Sequence, residues 1–385
     1  MSAYFTRLRL NGFRNYTSLD LRLDGRHAVL TGPNGSGKTN LIEAVSLFSP
    51  GRGLRRALTS DLSSKKVGDG AFSIFAELNA ADDIFEIGTG VQPSLTASDG
   101  TQSRKVRING TTAKSSDELL QLCRIVWLTP AMDGLFTGPA SDRRRFLDRL
   151  VLAIDPEHGK RANAFERTLR QRNRLLEESS GSLHNNQWLD AIEAQLASLA
   201  IGMQAARSEM VGLLAGAAAQ ESDGEFPRSE LGLTGEMEDL VSESAGEGAA
   251  ATEAAYLDML KNMRFRDQAA RRTLIGPHRS DVSVRHIQKD MPAGLCSTGE
   301  QKALLVGLIL AHCALTKAVS RHAPIMLFDE IAAHLDSDRR AALFSRIDLI
   351  GGQAFMTGTD ASLFDALEDR GQRFHVSAGE VFPNG

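Results

Sequence analysis

Eight residues near the N-terminus, Gly32-Pro33-Asn34-Gly35-Ser36-Gly37-Lys38-Thr39, fit the phosphate-cradling pattern G-x-x-x-x-G-K-[ST]. Glycines in such a loop let backbone N–H groups face phosphate oxygens at a helix N-terminus, where the helix dipole adds to the attraction. Lys38 is then placed to reach the β- and γ-phosphates of a nucleotide, and the Thr39 hydroxyl to ligate Mg²⁺. The bland alternative is a glycine turn with a surface lysine. Context argues against it, because the apolar run His27-Ala28-Val29-Leu30 reads as a strand entering the loop. A helix from Lys38 through Phe48 follows, with Leu41, Ile42, Val45 and Phe48 on one face. The partner of this motif stands about 290 residues later. There, Ile325-Met326-Leu327-Phe328 is an apolar run ending in Asp329-Glu330. It reads as a buried strand that delivers two acids at its carboxyl end, where open α/β sheets bind ligands. Asp329 suits the Mg²⁺ shell, and Glu330 suits the base that orients or deprotonates an attacking water. Alone this is an edge carboxylate pair; with the P-loop it outlines an ATP and Mg²⁺ site.

These groups need a scaffold drawn from both chain ends. Residues 4–10 and 18–23 alternate partly, as strands do. Residues 71–109 read as antiparallel β, with runs Ala71–Leu78, Ile84–Ile87 and Lys105–Ile108 and a turn at Asn109-Gly110. A helix near 115–121 and a strand at Arg124–Leu128 come next. From about Ser141 the texture turns helical. Phe146, Leu147, Leu150, Val151 and Ile154 share one face, a second helix spans roughly Gly159 to Glu178, and Ser179-Ser180-Gly181-Ser182 breaks it. A third helix runs from Asn186 to about Gln220. Residues 221–250, acidic and rich in Gly, Ala and Ser, read as a mobile loop. A helix over about 251–270 leads back to β texture at Arg272–Val284, and the final section alternates helix and strand, as in an α/β sheet.

Bulk numbers narrow the setting. Of 385 residues, 42% are hydrophobic and 24% charged, which are globular values. The three cysteines, Cys123, Cys296 and Cys313, are far apart and offer no disulfide framework or zinc spacing. The first residues lack the apolar core of a signal peptide, and no window reads as long enough for a membrane span. A cytoplasmic protein with no membrane partner is the expectation. The net charge of −4 argues against a generally basic nucleic-acid binder, so any DNA contact must use local patches.

Two further motifs refine the site. Ser297-Thr298-Gly299-Glu300-Gln301-Lys302 stands before the apolar helix Ala303–Leu315. It resembles the signature motif of ABC ATPases, which in that superfamily caps the γ-phosphate held by a second subunit; an ordinary N-cap is the alternative. The order P-loop, signature, Asp-Glu favours the former. Ala333-His334-Leu335-Asp336 matches the D-loop position, which puts Asp336 near a dimer seam. Thr357 or Thr359 stands where transporter ATPases carry a switch histidine.

Further segments resemble the RecF family, bacterial recombination mediators among the ABC/SMC-like ATPases, over nearly the full length. They are Phe13-Arg14-Asn15-Tyr16, Gly51-Arg52-Gly53-Leu54-Arg55, Thr129-Pro130, Gly138-Pro139 and Arg143-Arg144-Arg145-Phe146-Leu147-Asp148. Gln171-Arg172-Asn173-Arg174-Leu175-Leu176 and Thr273-Leu274-Ile275-Gly276-Pro277-His278-Arg279 complete the set, and general ABC ATPases lack these last two. Ser280 replaces an acid that often follows the His-Arg pair, and Thr298-Gly299-Glu300 is a variant signature. The resemblance implies an α/β fold: an ABC-type ATPase head from residues 1–128 and 273–385, with an inserted helical arm at 129–272. It implies an ATP-dependent homodimer whose slow hydrolysis resets it, with Ser297, Gly299, Glu300, Gln301 and Asp336 acting in trans. It also implies binding of duplex DNA near single-strand/double-strand junctions together with RecR and RecO. Recombinase loading, DNA repair, replication and SOS induction follow from that. Arg14 and Asn15 are expected to serve the nucleotide. His278 and Arg279 either sense the nucleotide or tie arm to head.

Four basic clusters are candidates for phosphate contacts. Arg52, Arg55 and Arg56, with Arg104, Lys105 and Arg107, are favoured, because head loops face a duplex held between paired heads. Arg143, Arg144, Arg145 and Arg149 form the third. Arg167, Arg170, Arg172 and Arg174 form the fourth, where Glu166, Glu177 and Glu178 offer internal neutralisation. The rival classes are the ATPase subunit of a transporter and an SMC-like organiser. The former is disfavoured by the missing histidine and the inserted arm, and the latter by the want of a long heptad coil.

Overall fold

In the computed structural model, residues 3–384 are described apart from 69, 82, 93–103, 179–182, 221–223 and 245. The chain forms two units. One comprises Met1–Asp133, Ser222–Pro227 and Ser297–Gly385, and the other Gly134–Glu221 and Arg228–Cys296.

The first unit begins with β1 (Tyr4–Phe13), β2 (Tyr16–Arg22), β3 (His27–Thr31), α1 (Lys38–Ser46) and α2 (Thr59–Leu62). It continues through β4 (Phe72–Ala80), β5 (Asp83–Val91), β6 (Lys105–Ile108), β7 (Thr111–Thr112), α3 (Leu119–Leu122) and β8 (Ile125–Leu128). Six of these strands make an antiparallel sheet in the order β2-β1-β4-β5-β6-β7. In β4 the alternation is complete. Phe72, Ile74, Ala76, Leu78 and Ala80 are all buried, as a strand with one face on the core requires. Against that face pack Leu41, Ile42, Ala44 and Val45 of α1, together with Phe5 and Phe48.

The second unit contains α4 (Ala140–Ile154), α5 (His158–Glu178), α6 (Leu183–Gln220), β9 (Ser229–Thr234), α7 (Glu236–Glu243), α8 (Ala249–Ala270), β10 (Asp281–His286) and β11 (Met291–Pro292). Its core joins Phe165 of α5, Leu196 and Ala200 of α6, and Tyr256 and Leu260 of α8. Two expectations are corrected here. Residues 221–250 are not one loop, because β9 pairs with β10 and α7 buries Met237 and Leu240. The acidic composition hid Leu231, Met237 and Leu240, three buried apolar positions among polar ones. The same pairing of β9 with β10 assigns residues 273–296 to the second unit, not to the head as the sequence reading had it. The break expected at Ser179–Ser182 lies outside the described residues.

The chain returns to the first unit with α9 (Thr298–Ser320), β12 (Ile325–Phe328), α10 (Ser337–Ile350), β13 (Ala354–Gly358), β14 (Gly371–Ser377) and β15 (Glu380–Pro383). The second sheet runs β15-β14-β3-β13-β12-β8, parallel except where β15 pairs with β14. Strand β13 therefore lies between the strand that enters the P-loop and the strand that ends in Asp329-Glu330. Among the described residues one helix, α9, is long and apolar enough to cross a membrane, which corrects the reading that no window is. Its most apolar window has mean hydropathy 1.8 and is 61% buried inside the structure, as a core helix is.

Candidate nucleotide site

The P-loop takes its shape from backbone conformations that side chains resist. Gly32 has φ 147°, and a Cβ there would stand 2.1 Å from the Val376 carbonyl oxygen. Gly37 has φ 121°, and a Cβ there would stand 2.5 Å from Asn15 Nδ2. Neighbours then hold the loop from outside. Tyr16 donates its hydroxyl to the Gly37 carbonyl (3.0 Å), Asn15 Nδ2 donates to the Ser36 carbonyl (3.1 Å), and the Gly379 N–H donates to the same Ser36 oxygen (3.1 Å).

Several groups point to an occupant. Lys38 Nζ donates to the loop carbonyls of Gly32 (2.7 Å) and Pro33 (2.9 Å). Burial lowers its pKa from the ordinary lysine value, against the opposing pull of Glu330 and Asp329. The Ser36 hydroxyl is buried and finds no hydrogen-bond partner among the described residues. Gly35 faces open space. An ammonium folded back on carbonyls, an orphaned hydroxyl and an open turn at a helix N-terminus together fit a phosphate chain.

The distant acids close the site. Thr39 Oγ1 donates to Asp329 Oδ1 at 3.0 Å, so the two motifs meet directly. Thr357 Oγ1 also donates to Asp329 Oδ1 (2.7 Å) and accepts the Glu330 N–H (2.9 Å). Glu330 itself is left-handed, with φ 52°. A hydroxyl beside a carboxylate at the end of a parallel sheet fits Mg²⁺, which binds protein through one or two such groups.

Other expected residues are placed as follows. Arg14 makes two hydrogen bonds to Glu43 of α1 (2.9 and 2.7 Å) and one to the Asp61 carbonyl. Glu43 is wholly buried, and Arg55 reaches it at 3.5 Å while donating to Asn40 Oδ1. Asn40 in turn donates to Asn15 Oδ1. Arg14 and Asn15 thus brace the P-loop and its helix from behind.

Arg104 corrects the grouping with Lys105 and Arg107. Its guanidinium is turned inward onto the carbonyls of Leu47, Ser49 and Gly51 and the Thr89 hydroxyl. Burial lowers its pKa to about 10. Lys105 and Arg107 flank the buried Val106 on β6 and are exposed, as are Arg52, Arg55 and Arg56. In the second unit, Arg143 pairs with Asp281 and Arg144 donates to the Ser280 carbonyl. Arg172 is wholly buried among Glu193, Asp267 and Thr273. Arg170 and Arg174 are exposed beside Glu166 and Glu178.

Ser297 makes the capping box. Its hydroxyl accepts from the Glu300 N–H (3.4 Å), and its own N–H donates to Glu300 Oε2 (3.0 Å). The cap leaves Ser297 and Gly299 exposed, while Gln301 is buried. Asp336 caps α10 by accepting from the Arg339 N–H (2.8 Å), which holds its carboxyl below the ordinary range. His278 stays within the second unit, its ring tilted against Phe165 and bonded to the Thr273 carbonyl. Burial lowers its pKa to about 4. Glu43 and Asn40 were missed in the sequence. Their spacing from Lys38 puts them on α1, but nothing in it marks them as partners of Arg14 and Asn15.

A P-loop and an Asp-Glu pair on strands separated by one, beside an antiparallel sheet and with a capped signature-like helix between them in the chain, define an ABC-type ATPase head with a helical insertion. The RecF/RecN/SMC N terminal domain family matches residues 4–378. The chain is 55% identical over 379 residues to the DNA replication and repair protein RecF of Rhizobium meliloti (strain 1021), covering 98% of each. It is 54% identical over 384 residues to that of Agrobacterium fabrum (strain C58), covering 98% of this chain and 97% of the relative. The fold matches a solved structure of the recombination mediator protein RecF-ATPrS in the RecFOR pathway, with TM-score 0.83 at 20% identity over 100% of this chain and 99% of that one. The corresponding RecF-ATP structure gives 0.80 at 21%, with the same coverage. The chain belongs to the RecF family of DNA replication and repair proteins. That membership sets aside the transporter and organiser readings.

Proposed function

We propose that this protein is an ATP-dependent DNA-binding recombination mediator, in which ATP binding pairs two heads and hydrolysis parts them. The observation that carries the reading is the convergence of Lys38, Thr39, Asp329 and Glu330 at one sheet end. Lys38 takes β- and γ-phosphate charge in exchange for its loop carbonyls. Thr39 and Asp329 would hold Mg²⁺, which supplies charge neutralisation across the β- and γ-oxygens when bound. Glu330 orients the attacking water and accepts its proton. Ser297, Gly299, Glu300, Gln301 and Asp336 approach the γ-phosphate of a second subunit, and the exposure of Ser297, Gly299 and Asp336 is consistent with that.

Duplex DNA near single-strand/double-strand junctions is the proposed ligand of the paired heads. Arg52, Arg55, Arg56, Lys105 and Arg107 supply sequence-independent phosphate contacts. RecR and RecO are the proposed partners, and recombinase loading at gaps and support of SOS induction the outcome. The naming of the relatives supports the setting.

The test measures mass and DNA binding together. Wild type with ATP and Mg²⁺ should shift to a dimer by light scattering and bind a gapped duplex more tightly than without ATP. Lys38→Ala should do neither, and Glu330→Gln should hold the dimer. A wild type that stays monomeric and binds no DNA at low salt with ATP overturns the reading.

A further inference from the structure

Thr357 is wholly buried at the end of β13, the strand between β3 and β12. Its hydroxyl hydrogen goes to Asp329 Oδ1 at 2.7 Å, and its oxygen takes the Glu330 N–H at 2.9 Å. Buried threonines commonly satisfy themselves on a nearby backbone carbonyl. This one instead bonds to the two successive residues that follow β12, both of them proposed to act on the nucleotide.

The two bonds control different things. Asp329 Oδ1 accepts from Thr357 on one side and Thr39 (3.0 Å) on the other, which leaves its carboxylate little rotational freedom. The Asp329 N–H still belongs to the sheet, donating to the Leu128 carbonyl. Glu330 lies past the last sheet bond and turns left-handed, with φ 52°, a conformation that a non-glycine residue resists unless its surroundings hold it there. The Thr357 oxygen receives the N–H of that turned residue. It thereby holds the turn that swings the Glu330 side chain off the line of the strand.

We propose that Thr357 is a positioning residue of the ATP site, whose single hydroxyl sets where both Asp329 and Glu330 point. The inference rests on the ATPase reading above and deepens it. Valine has the shape of threonine without the hydroxyl, so Thr357→Val leaves the Glu330 N–H unpaired and frees Asp329 to rotate. Thr357→Ser keeps both bonds.

The decisive measurement separates nucleotide binding from Mg²⁺ response and turnover. With ATP in EDTA, T357V and T357S should both bind within about twofold of wild type, because the P-loop is untouched. This also shows that they are folded. The Mg²⁺ concentration needed for half-maximal tightening of ATP binding should rise about 10-fold in T357V, and kcat should fall about 10- to 100-fold. T357S should stay within about threefold on both. If T357V does not bind ATP in EDTA, Thr357→Ala repeats the measurement with less volume and no hydroxyl. A T357V (or T357A) protein with wild-type Mg²⁺ response and turnover overturns the proposal. So does a T357S protein that loses as much as T357V, since the role would then be packing. Glu330→Gln run alongside keeps the two readings apart. If wild type hydrolyses ATP and E330Q does not, a null result at Thr357 sinks only the positioning role. If wild type neither binds nor hydrolyses ATP, the ATPase reading itself fails.

Discussion

Replacing Arg172 by methionine should destabilise the helical unit severely while leaving the nucleotide site intact. The guanidinium is wholly buried and donates to Glu193 Oε1 (3.0 Å), Asp267 Oδ2 (2.6 Å), Thr273 Oγ1 (2.7 Å) and the Leu260 carbonyl (2.9 Å). Those partners lie on α6, α8 and the segment after α8, so one side chain on α5 ties three pieces of chain together. Methionine fills much of the volume, so cavity loss is small. The cost comes from stranded charge, about 3–5 kcal/mol when one partner of a buried pair is removed. Glu193 keeps Arg264, which bonds it at 2.5 and 3.1 Å, whereas Asp267 keeps the Leu274 N–H, a neutral donor. One carboxylate is therefore stranded rather than two, which places the loss near the lower end, about 3 kcal/mol. The assay is urea unfolding followed by Trp188, which lies on α6, in a Trp127→Phe background that silences the chain's other tryptophan. ATP affinity should be unchanged. Adding Asp267→Asn should recover roughly 1 kcal/mol or more by removing the stranded charge. A loss below about 1 kcal/mol, or an Asp267→Asn change that deepens the loss, would refute the stranded-charge argument.

Four other outcomes follow from the geometry. Gly37→Ala should weaken ATP binding about 10-fold or more by equilibrium titration, since φ 121° and a 2.5 Å approach to Asn15 Nδ2 oppose any Cβ. Arg104→Gln should lower the melting temperature of the head but leave the salt slope of DNA binding unchanged. Arg55→Gln should reduce that slope by about one. The last concerns pH. Burial alone would raise the Asp148 pKa, but His158 and Arg207 outweigh it and hold the group at about 2, below its ordinary 3.8. A depressed carboxylate contributes stability that is full above the unfolded value and lost as pH falls through the folded one. The helical unit should therefore lose about 2 kcal/mol between roughly pH 4 and pH 2. Asp148→Asn should flatten that part of a pH–stability profile.

The legible parts of this chain were those whose physics is contiguous. Gly32–Thr39 states its chemistry because a phosphate cradle is made of consecutive N–H groups, and Ile325–Glu330 because a buried strand must be an apolar run. The illegible parts depend on what a side chain meets. Arg104 and Lys105 are neighbours of the same charge, yet one caps the carbonyls behind α1 and the other faces solvent. Arg172 looks like its neighbours on α5 and is the most buried cation of the helical unit's core. Residues 221–250 carry acid at a density typical of loops, but three well-placed apolar residues and a partner strand some 50 residues on made a strand and a helix of them.

By itself, then, the sequence determined that a phosphate site, two carboxylates and a helical insertion share one chain, because each is written in a local run or a local period. Only the tertiary structure decided that β13 lies between β3 and β12. That order sets Thr39 and Thr357 on the same oxygen of Asp329 and gives the Glu330 turn its acceptor. No spacing along the chain encodes it. Strand order follows from which apolar faces can be buried together, a property of the whole fold.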